Sequence, residues 1–473
     1  MKTKYFVLAA LVSVSLFASC NKENSKFENE EGEPTSMKLS ISFPRAASTR
    51  ATYDPNAKEN ETKIYRIDVF IYTASGAFSS HSELLPTDLK APGKGDNADV
   101  YEVTDMIPVT TGTKTIFVGL NMPASIVDNL KNKPASALAT TAQTLTHEQL
   151  TGYERPLWFP ERHTGFAMFS KEGVTSKFVK DENAPANNIT VTCQRLAAKI
   201  TVEKASSLLP SEAEQKEIYG GFFMKNTFFY YVFNNNTRMY LLQGAPEARK
   251  DPNWAIGSYV EGDFTSLTTE PETNGGMSFI KSTDEIDNIA LYDARYAAEN
   301  TSEGKLKKEA TCVVVMAQFV PSKFTKFDGA DFYQIDNPKA HPNPFYMVSL
   351  SPVEHYFFDW INRYDEFGLE DLSLVLAKQF ADAKGVPREN IKFYNGGLNY
   401  WDIYLNKNPN HPANRWDVLR NDYYRCTITK IKSIGRPVPD LPDPDAPIET
   451  DTKIEVSIEV LDWSVVGKNI ELE

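Results

Sequence analysis

Strict alternation of apolar and polar residues marks the two ends of the chain. Residues 37–43 (MKLSISF) and residues 454–460 (IEVSIEV) both begin and end on an apolar residue and place a polar residue at every second position. A period of two puts one set of side chains on a core face and the other set in solvent. The sequence therefore predicts two half-buried strands that share one pattern.

Short apolar or alternating runs, separated by turn-forming residues, recur along the rest of the chain. They predict many strands, the clearest of which are residues 64–72, 101–106, 115–120, 194–202, 310–319, 398–405 and 423–431. Two regions favour helices: residues 125–150, and a run from Leu372 to Ala383 that precedes Gly385. Many short strands and few helices indicate a mainly β fold, which we interpret as two β-sandwich domains with helical insertions.

The first residues form an export signal that ends at a cysteine. Lys2 and Lys4 precede an almost continuous apolar run over residues 5–17, which is too short to span a bilayer as a helix. Small residues and then Cys20 follow, and this order resembles a bacterial lipobox, with cleavage before Cys20 and acylation of its thiol. The alternative is an ordinary signal peptide with a coincidental cysteine. Residues 21–36 are polar and acidic, which predicts a disordered tether.

Length and composition narrow the class of protein. At roughly 150 residues per domain, 473 residues indicate two or three domains. The net charge of -13 argues against nucleic acid as a partner, because such binding depends on Lys and Arg neutralising phosphates. Four cysteines are too few for a disulfide-stapled scaffold. Cys193, Cys312 and Cys426 lie singly in strand-like runs, so we expect buried free thiols, with one disulfide as the alternative.

Residues with catalytic or ligand-binding chemistry form no recognisable motif. The six histidines are scattered, and the sequence has no zinc-protease, nucleophile-elbow, P-loop or dinucleotide-binding motif. A loose acidic cluster fails the calcium-loop pattern and is interpreted as solvated surface: Asp328, Asp331 and Asp336. Three tryptophans are candidates for glycan binding, although such residues more often fill a sandwich core: Trp254, Trp401 and Trp416. We therefore expect no cofactor, no metal site and no enzymatic activity.

The matched end strands suggest that one can replace the other. Candidate trypsin-like cleavage sites after Arg45 and after Arg50 separate the first strand from the domain body. A strand that left after cleavage would expose an apolar groove with unpaired backbone groups, which is a liability unless another chain fills it. We expect both strands to suit the same edge slot of a sandwich.

The second strand follows a Pro-rich linker. Residues 437–449 hold five prolines and, at a polyproline rise of about 3.1 Å per residue, can reach roughly 40 Å. Such a reach would present the C-terminal strand to a neighbouring subunit, and head-to-tail donation of this kind builds an open filament. The alternatives are plain structural roles: a permanent N-terminal edge strand, a solvated Arg50, and a C-terminal strand that completes its own sandwich.

Together these features resemble the Bacteroidales fimbrillins, the subunits of lipoprotein-derived (type V) pili. An ordered set of motifs carries the resemblance: LFASC at 16–20, STRA at 48–51, QRLAAK at 194–199, YYRCTITKIKSIG at 423–435, the Pro–Asp linker and VLDWSVV at 460–466. It extends over essentially the whole chain and is strongest near the C-terminus, whereas the insertions at residues 328–393 have no counterpart. Within the family, the chain is most similar to the shaft fimbrillin of the short (minor) fimbriae of Porphyromonas.

The resemblance implies two transthyretin-like β-sandwich domains and a processing scheme. Cys20 would carry lipid, and the scissile bond would be Arg50–Ala51, with Arg45–Ala46 as the alternative. The strand displaced after cleavage would withdraw four apolar side chains: Met37, Leu39, Ile41 and Phe43. The donor segment that replaces it would contribute another set: Ile454, Val456, Ile458, Val460, Trp463, Val465, Ile470 and Leu472.

The expected organisation has six parts. They are a lipoprotein signal peptide (1–19), a propeptide with the tether and N-terminal strand (20–50), an N-terminal sandwich domain (51–204), a C-terminal sandwich domain (205–436), a Pro/Asp linker (437–449) and a donor strand segment (450–473). Removal of residues 1–50 would change the net charge from -13 to -15.

The resemblance also implies location and partners. The chain would be an outer-membrane lipoprotein precursor and then a shaft or internal accessory subunit of an extracellular fimbrium, since tip subunits tend to lack an intact donor strand. Its partners would be identical or homologous subunits, an Arg-specific trypsin-like protease, the outer membrane through the precursor's lipid, and host or bacterial surface ligands. The alternative function is a surface glycan-binding lipoprotein of a polysaccharide-uptake system, which would need neither the Arg sites nor the matched strands.

Overall fold

A computed structural model gives a mainly β architecture. It describes residues 32–43, 61, 63–90, 100–154, 162–163, 165–243, 250–265, 277–283, 294–337, 344–351, 353–358, 372–405, 416–441, 443–448 and 452–463. Several residues singled out by the sequence lie outside the described residues: Cys20, Arg45, Ala46, Arg50, Ala51, Val465, Ile470 and Leu472. Within the described ranges, no helix is long and apolar enough to cross a membrane.

The first part of the chain, up to residue 195, is built mainly from strands. They are β1 (Pro34–Ser42), β2 (Ile67–Thr73), β3 (Phe78–Leu84), β4 (Leu89–Lys90), β5 (Val100–Val103), β6 (Ile107–Thr110), β7 (Gly112–Leu120), β8 (Gln143–Thr144), β9 (Tyr153–Glu154), β10 (Arg162–His163), β11 (Met168–Ser170), β12 (Val174–Phe178) and β13 (Asn188–Arg195). The helices of this part are α1 (Ala124–Leu130), α2 (Ala137–Thr140) and α3 (His147–Thr151). The Ala-rich region from residue 125 thus forms short helices, as its composition predicts.

The second part begins after Leu196 and is also mainly β. Its strands are β14 (Ala197–Lys204), β15 (Gly221–Phe223), β16 (Phe229–Phe233), β17 (Asn235–Asn236), β18 (Arg238–Met239), β19 (Phe264–Thr265), β20 (Ser278–Phe279), β21 (Arg295–Ala298), β22 (Cys312–Pro321), β23 (Lys323–Phe327), β24 (Phe332–Asp336), β25 (Phe345–Leu350), β26 (Val353–Phe357), β27 (Ile391–Tyr394), β28 (Leu398–Tyr404), β29 (Asp422–Ile431) and β30 (Ile454–Asp462). The helices are α4 (Glu212–Tyr219) and α5 (Leu372–Lys384).

β1 lies inside a sheet, and the expected edge position is therefore wrong. The strand order is β3-β2-β7-β11-β13-β1-β5-β4, with β12 on β7 and β6 on β1. β1 runs parallel to β13 on one side and antiparallel to β5 and β6 on the other. It also begins at Pro34, which is within the predicted tether. The alternation of residues 37–43 correctly identifies the buried face but carries no information on how many neighbours the strand has.

The chain changes sheets at Leu196. β13 belongs to the first sheet, whereas β14 pairs in parallel with β29 and antiparallel with β21 in a sheet of order β21-β14-β29-β30. A further sheet has the order β15-β22-β16-β20, with β28 on β22. The single apolar run at 194–202 passes through this change of sheet without a break in its pattern. The domain boundary after residue 204 stays a prediction.

Two large apolar clusters fill the interior. The first packs the strands of the N-terminal part and also takes in residues from the second part, among them Tyr296, Tyr423 and Trp463. The second lies between the sheets of the C-terminal part. A short pairing of β8 with β18 links the two parts directly. The N-terminal and C-terminal parts therefore share buried surface, and Trp463, at the end of the last strand, lies where they meet.

The insertion without a sequence counterpart forms its own small layer. β23 pairs with β24, and β25 lies between β26 and β27. α5 buries Ala377, Phe380 and Ala381 against Val348 and Phe357. The helix ends at Lys384, directly before Gly385, whose φ of 69° is the left-handed conformation that glycine adopts readily. The helical spacing in the sequence is confirmed.

The remaining sequence predictions concern thiols and tryptophans. The three described cysteines are free and buried, as expected. Trp401 is 2% exposed and belongs to the core, whereas Trp254 and Trp416 are partly exposed. Asp328 lies on the surface, where its carboxylate accepts hydrogen bonds from the backbone of the turn that follows it. Among the described residues, no group of His, Cys, Asp and Glu is arranged to hold a metal ion.

Candidate functional site

β1 fills a slot that is closed on both sides by hydrogen-bonded strands. Its register with β13 runs from Lys38 opposite Asn188 to Ser42 opposite Thr192. On the other side, its first half pairs with β6 and its second half with β5. The hydroxyl groups of Ser42 and Thr192 lie 2.8 Å apart and add a side-chain contact to this ladder. If β1 left, two facing rows of backbone groups would lose their partners.

The inward face of β1 is apolar and wholly buried. Four side chains enter the core with exposed fractions between 0% and 5%: Met37, Leu39, Ile41 and Phe43. Burial of each is worth about 1.5–3 kcal/mol, so the four together contribute on the order of 6–12 kcal/mol. That is comparable to the whole stability of a typical domain, about 5–15 kcal/mol. The fold therefore requires a strand of this kind in this slot.

A buried asparagine holds the start of β1. Asn187 is wholly buried, and its amide group donates to the carbonyl oxygens of Ser36 (3.0 Å) and Val179 (2.9 Å). Its side-chain oxygen accepts from the backbone N–H of Val179 at 3.0 Å. Thr35 donates its hydroxyl to the same Val179 carbonyl at 2.9 Å. These contacts fix where the strand enters the slot and therefore its register.

β30 shares the pattern of β1 but not its environment. It pairs antiparallel with β29 and is the last strand of its sheet, with no second partner strand among the described residues. Ile454 is 1% exposed, whereas Val456, Ile458 and Val460 are only partly buried against the second core. β30 is thus hydrogen-bonded along one edge. Its departure would expose less buried apolar surface than the departure of β1. In this structure β30 therefore completes a sheet of its own chain, which is the plain structural role given above as the alternative to donation.

The Pro-rich linker is packed on its own domain. The backbone N–H groups of Lys307 and Lys308 donate to the carbonyl oxygens of Ala446 and Pro444, each at 3.0 Å. Ile448 is 8% exposed and belongs to a small cluster with Cys312 and its neighbours. In this form, the described linker residues are therefore anchored and do not project as a free spacer.

The residue after β30 occupies a separate pocket. Trp463 is 2% exposed, and its indole stacks on Tyr296 with ring centroids 5.6 Å apart. The guanidinium carbon of Arg195 lies 4.3 Å from the centroid of the indole, and Phe166 meets it edge-on at 5.4 Å. Arg195 also donates to the carbonyl oxygen of Trp463 at 3.0 Å. The indole is thus enclosed by aromatic and cationic groups, with both ring stacking and cation–π attraction.

A buried carboxylate organises this pocket. Glu61 is 1% exposed and accepts hydrogen bonds from the indole N–H of Trp463 (3.1 Å) and the hydroxyl of Tyr296 (2.6 Å). The ammonium of Lys199, itself wholly buried, lies 3.0 Å and 3.2 Å from the two carboxylate oxygens. Arg195 donates to the backbone carbonyl of Glu61 at 3.0 Å. A buried ion pair with all these bonds made is stable, but removing one partner leaves an uncompensated charge.

The structure gives a physical reason for one motif of the sequence. Arg195 and Lys199, the two basic residues of the QRLAAK run, flank the change of sheet and both enter the Trp463 pocket. No pattern in the sequence identifies Glu61, Phe166 or Tyr296, because they lie far from the motif and from each other along the chain. Trp463 is predicted to fill the groove, whereas in this structure it fills the pocket.

The chain is similar to solved structures at low sequence identity. One is a proposed cell adhesion protein from Parabacteroides distasonis, with 13% identity over 93% of this chain and 99% of that chain and a TM-score of 0.47. Another is a fimbrilin (fimA) from Porphyromonas gingivalis, with 14% identity over 92% and 99% of the two chains and a TM-score of 0.46. A third is the tip fimbrial protein of Porphyromonas gingivalis with C-terminal truncation, with 12% identity over 90% and 100% and a TM-score of 0.37. No curated protein matches the chain.

Two family models match the sequence at the regions that contain the two end strands. Residues 36–195 match the major fimbrial subunit protein (FimA) family, and this match ends where the chain changes sheets. Residues 392–469 match the C-terminal region of fimbrillin, the major fimbrial subunit protein type IV. Together the two matches cover about half of the chain. The chain belongs to the fimbrillin family, and the protein is a structural subunit of a cell-surface fimbrium and not an enzyme.

Proposed function

We propose that the protein is a shaft or internal accessory fimbrillin of the short (minor) fimbria type, which polymerises by donor-strand exchange and supports adhesion. It is exported as an outer-membrane lipoprotein with lipid on Cys20. An Arg-specific protease cuts after Arg50, or after Arg45, and β1 then leaves. β30 of the next subunit enters the vacated slot in one of two transthyretin-like domains.

The interior position of β1 is the observation that supports this proposal most strongly. A slot bounded by strands on both sides needs an alternating strand, and residues 454–460 have the same phase as residues 37–43. Aligning the two segments places Ile458 at the position of Ile41. A donor strand in this register would present a β-branched aliphatic side chain where β1 now presents one.

Cleavage supplies the direction of exchange. While β1 is covalently attached, its effective concentration at the slot is high, and an incoming strand competes poorly. After cleavage, a β1 that dissociates is diluted and does not return. β30 is the better candidate for donation because it lies at an edge and its apolar side chains at 456, 458 and 460 are only partly buried.

Electron microscopy of a soluble precursor tests the proposal. Protein produced without residues 1–20 is treated with trypsin, and we expect filaments after cleavage and none before. The matched control is the same precursor without residues 450–473, which we expect to be cleaved and to remain a folded monomer. Filaments from this control, or filaments without cleavage, would contradict donation by the C-terminal strand.

The export step has its own test. Labelling of growing cells with radioactive palmitate is expected to mark the precursor, and a Cys20→Ser variant is expected to carry no label. Label retained on the variant would show that the lipid is attached elsewhere or that the cysteine is coincidental.

A further inference from the structure

The Trp463 pocket joins three parts of the chain that the proposed function treats separately. Glu61 lies shortly after the candidate cleavage sites, Arg195 and Lys199 lie at the change of sheet, and Trp463 directly follows the donor strand. All four are at most 2% exposed. The end of β30 is therefore fixed to the N-terminal part of the subunit, and not only to its neighbouring strand β29.

Beyond its backbone pairing with β29, β30 is anchored by its described side chains most strongly at its two ends, Ile454 and the following Trp463. Along the strand, the apolar side chains at 456, 458 and 460 are partly buried, and the alternate ones are exposed. At the C-terminal end, the backbone N–H of Trp463 donates to the carbonyl of Asn421 at 3.0 Å, and its carbonyl oxygen accepts from Arg195. The indole adds a hydrogen bond to a buried carboxylate, a kind of bond that is stronger than one between neutral groups.

We propose that the pocket formed by Glu61, Phe166, Arg195, Lys199 and Tyr296 is a latch for the indole of Trp463, which holds β30 on its own subunit until assembly. The inference rests on the proposed donation of β30. Donation requires β30 to leave β29, and Trp463 must then leave the pocket. Extraction of the indole breaks its hydrogen bond to Glu61 and its stacking on Arg195 and Tyr296. The loss of these contacts adds to the barrier that keeps free subunits from exchanging strands.

Two substitutions separate the parts of the latch. Trp463→Phe keeps an aromatic ring for stacking but loses the N–H that Glu61 accepts. Trp463→Ala loses both. The matched control is Trp401→Phe, because Trp401 is equally buried and also donates its indole N–H, here to the carbonyl of Ser433 at 3.1 Å, away from the pocket. The control removes an indole hydrogen bond of the C-terminal core without touching the latch.

The readout is hydrogen exchange of the β30 amides in the uncut full-length precursor. Loss of a hydrogen bond to a charged group speeds local opening by about 10- to 100-fold, so Trp463→Phe should raise the exchange of residues 454–462 within this range. Trp463→Ala should raise it further, while β1 exchange stays at its original rate. Trp401→Phe should leave the exchange of residues 458–462 unchanged, because Trp401 lies beside Ile454 at the other end of β30. After trypsin treatment, the Trp463 variants should form filaments with a shorter lag than the unsubstituted protein.

The outcomes distinguish the latch from strand donation itself. If β30 in both Trp463 variants exchanges no faster than in the original protein, the latch is overturned, whether or not filaments form. If the variants loosen β30 but none of the cleaved proteins polymerises, the latch stands as a contact and the donation of β30 is overturned. A Glu61→Gln variant, which keeps the shape of the carboxylate but not its charge, should loosen β30 at least as much, because it also leaves the buried ammonium of Lys199 uncompensated.

Discussion

β1 and β30 have the same alternation of residues and opposite positions in the fold. β1 lies between β13 on one side and β5 and β6 on the other, and buries all four of its apolar side chains. β30 lies at the edge of another sheet, and of its described apolar side chains at 454, 456, 458 and 460 only the first is fully buried. The difference shows that a pattern of period two specifies a face but not a number of neighbours. Of the two strands, the one proposed to leave the subunit is therefore the more deeply buried.

This contrast explains why cleavage and donation belong together in the proposed mechanism. An interior strand with four buried apolar side chains does not leave a folded protein unless a replacement recovers the lost burial and hydrogen bonds. An edge strand such as β30 is already exposed along one side and costs less to remove. This difference in burial favours the proposed exchange in one direction. A strand that moves from the exposed edge beside β29 into the interior slot of β1 buries more of its apolar surface.

The strongest test of the comparison removes the cleavage sites. Arg45→Ala combined with Arg50→Ala should leave β1 attached when the precursor is treated with an Arg-specific protease, which spares Lys58, and should abolish filament formation, because the slot stays occupied by a tethered strand. Gel electrophoresis and electron microscopy of the treated precursor give the result, and each single substitution shows which arginine is cut. Ladders of polymer from the double variant would show that β1 need not leave, and the proposed exchange would then be wrong.

A matched pair of substitutions compares the two strands at equivalent positions. Ile41→Ala should lower the unfolding free energy of the precursor by about 2–5 kcal/mol, because Ile41 is wholly buried. Ile458→Ala should lower it by only about 1 kcal/mol, since this side chain is partly exposed in the free subunit. Urea denaturation of the two precursors measures the difference.

In assembled filaments, the two substitutions should rank in the opposite order of effect. In an assembled subunit, the donated Ile458 would lie where Ile41 lay, so Ile458→Ala should weaken the filament against heat and detergent, whereas Ile41→Ala should leave it unaffected. Equal losses of precursor stability would contradict the difference in burial between the two strands. Filaments insensitive to Ile458→Ala would mean that the two strands do not share a slot.

The sequence predicts the faces of these strands well and their surroundings poorly. Alternation correctly identifies the buried residues Met37, Leu39, Ile41 and Phe43, and helical spacing before Gly385 correctly identifies α5. The change of sheet at Leu196 is not visible, because an apolar run continues across it. The Trp463 pocket is also not visible, since Glu61 and Tyr296 reach it from distant parts of the chain and only the folded topology brings them together.

Two buried thiols report the smallest of the expected changes. Cys193 lies on β13 beside β1, and Cys426 lies on β29 opposite Ile458 of β30. Both are wholly buried, and burial raises the pKa of each thiol, that of Cys426 to about 12. At neutral pH almost no reactive thiolate is present, so both should resist alkylation in the precursor.

Strand exchange should affect these thiols differently. A subunit that has donated β30 uncovers Cys426, whose pKa then falls towards its ordinary value, while Cys193 stays covered by the strand received from the next subunit. Alkylation of filaments near pH 8, followed by mass spectrometry, should therefore label Cys426 and spare Cys193. In the cleaved variant without residues 450–473, no donor strand is available, so β1 should stay in its slot and Cys193 should stay unlabelled. Labelling of Cys193 in filaments would mean that no donated strand covers β13.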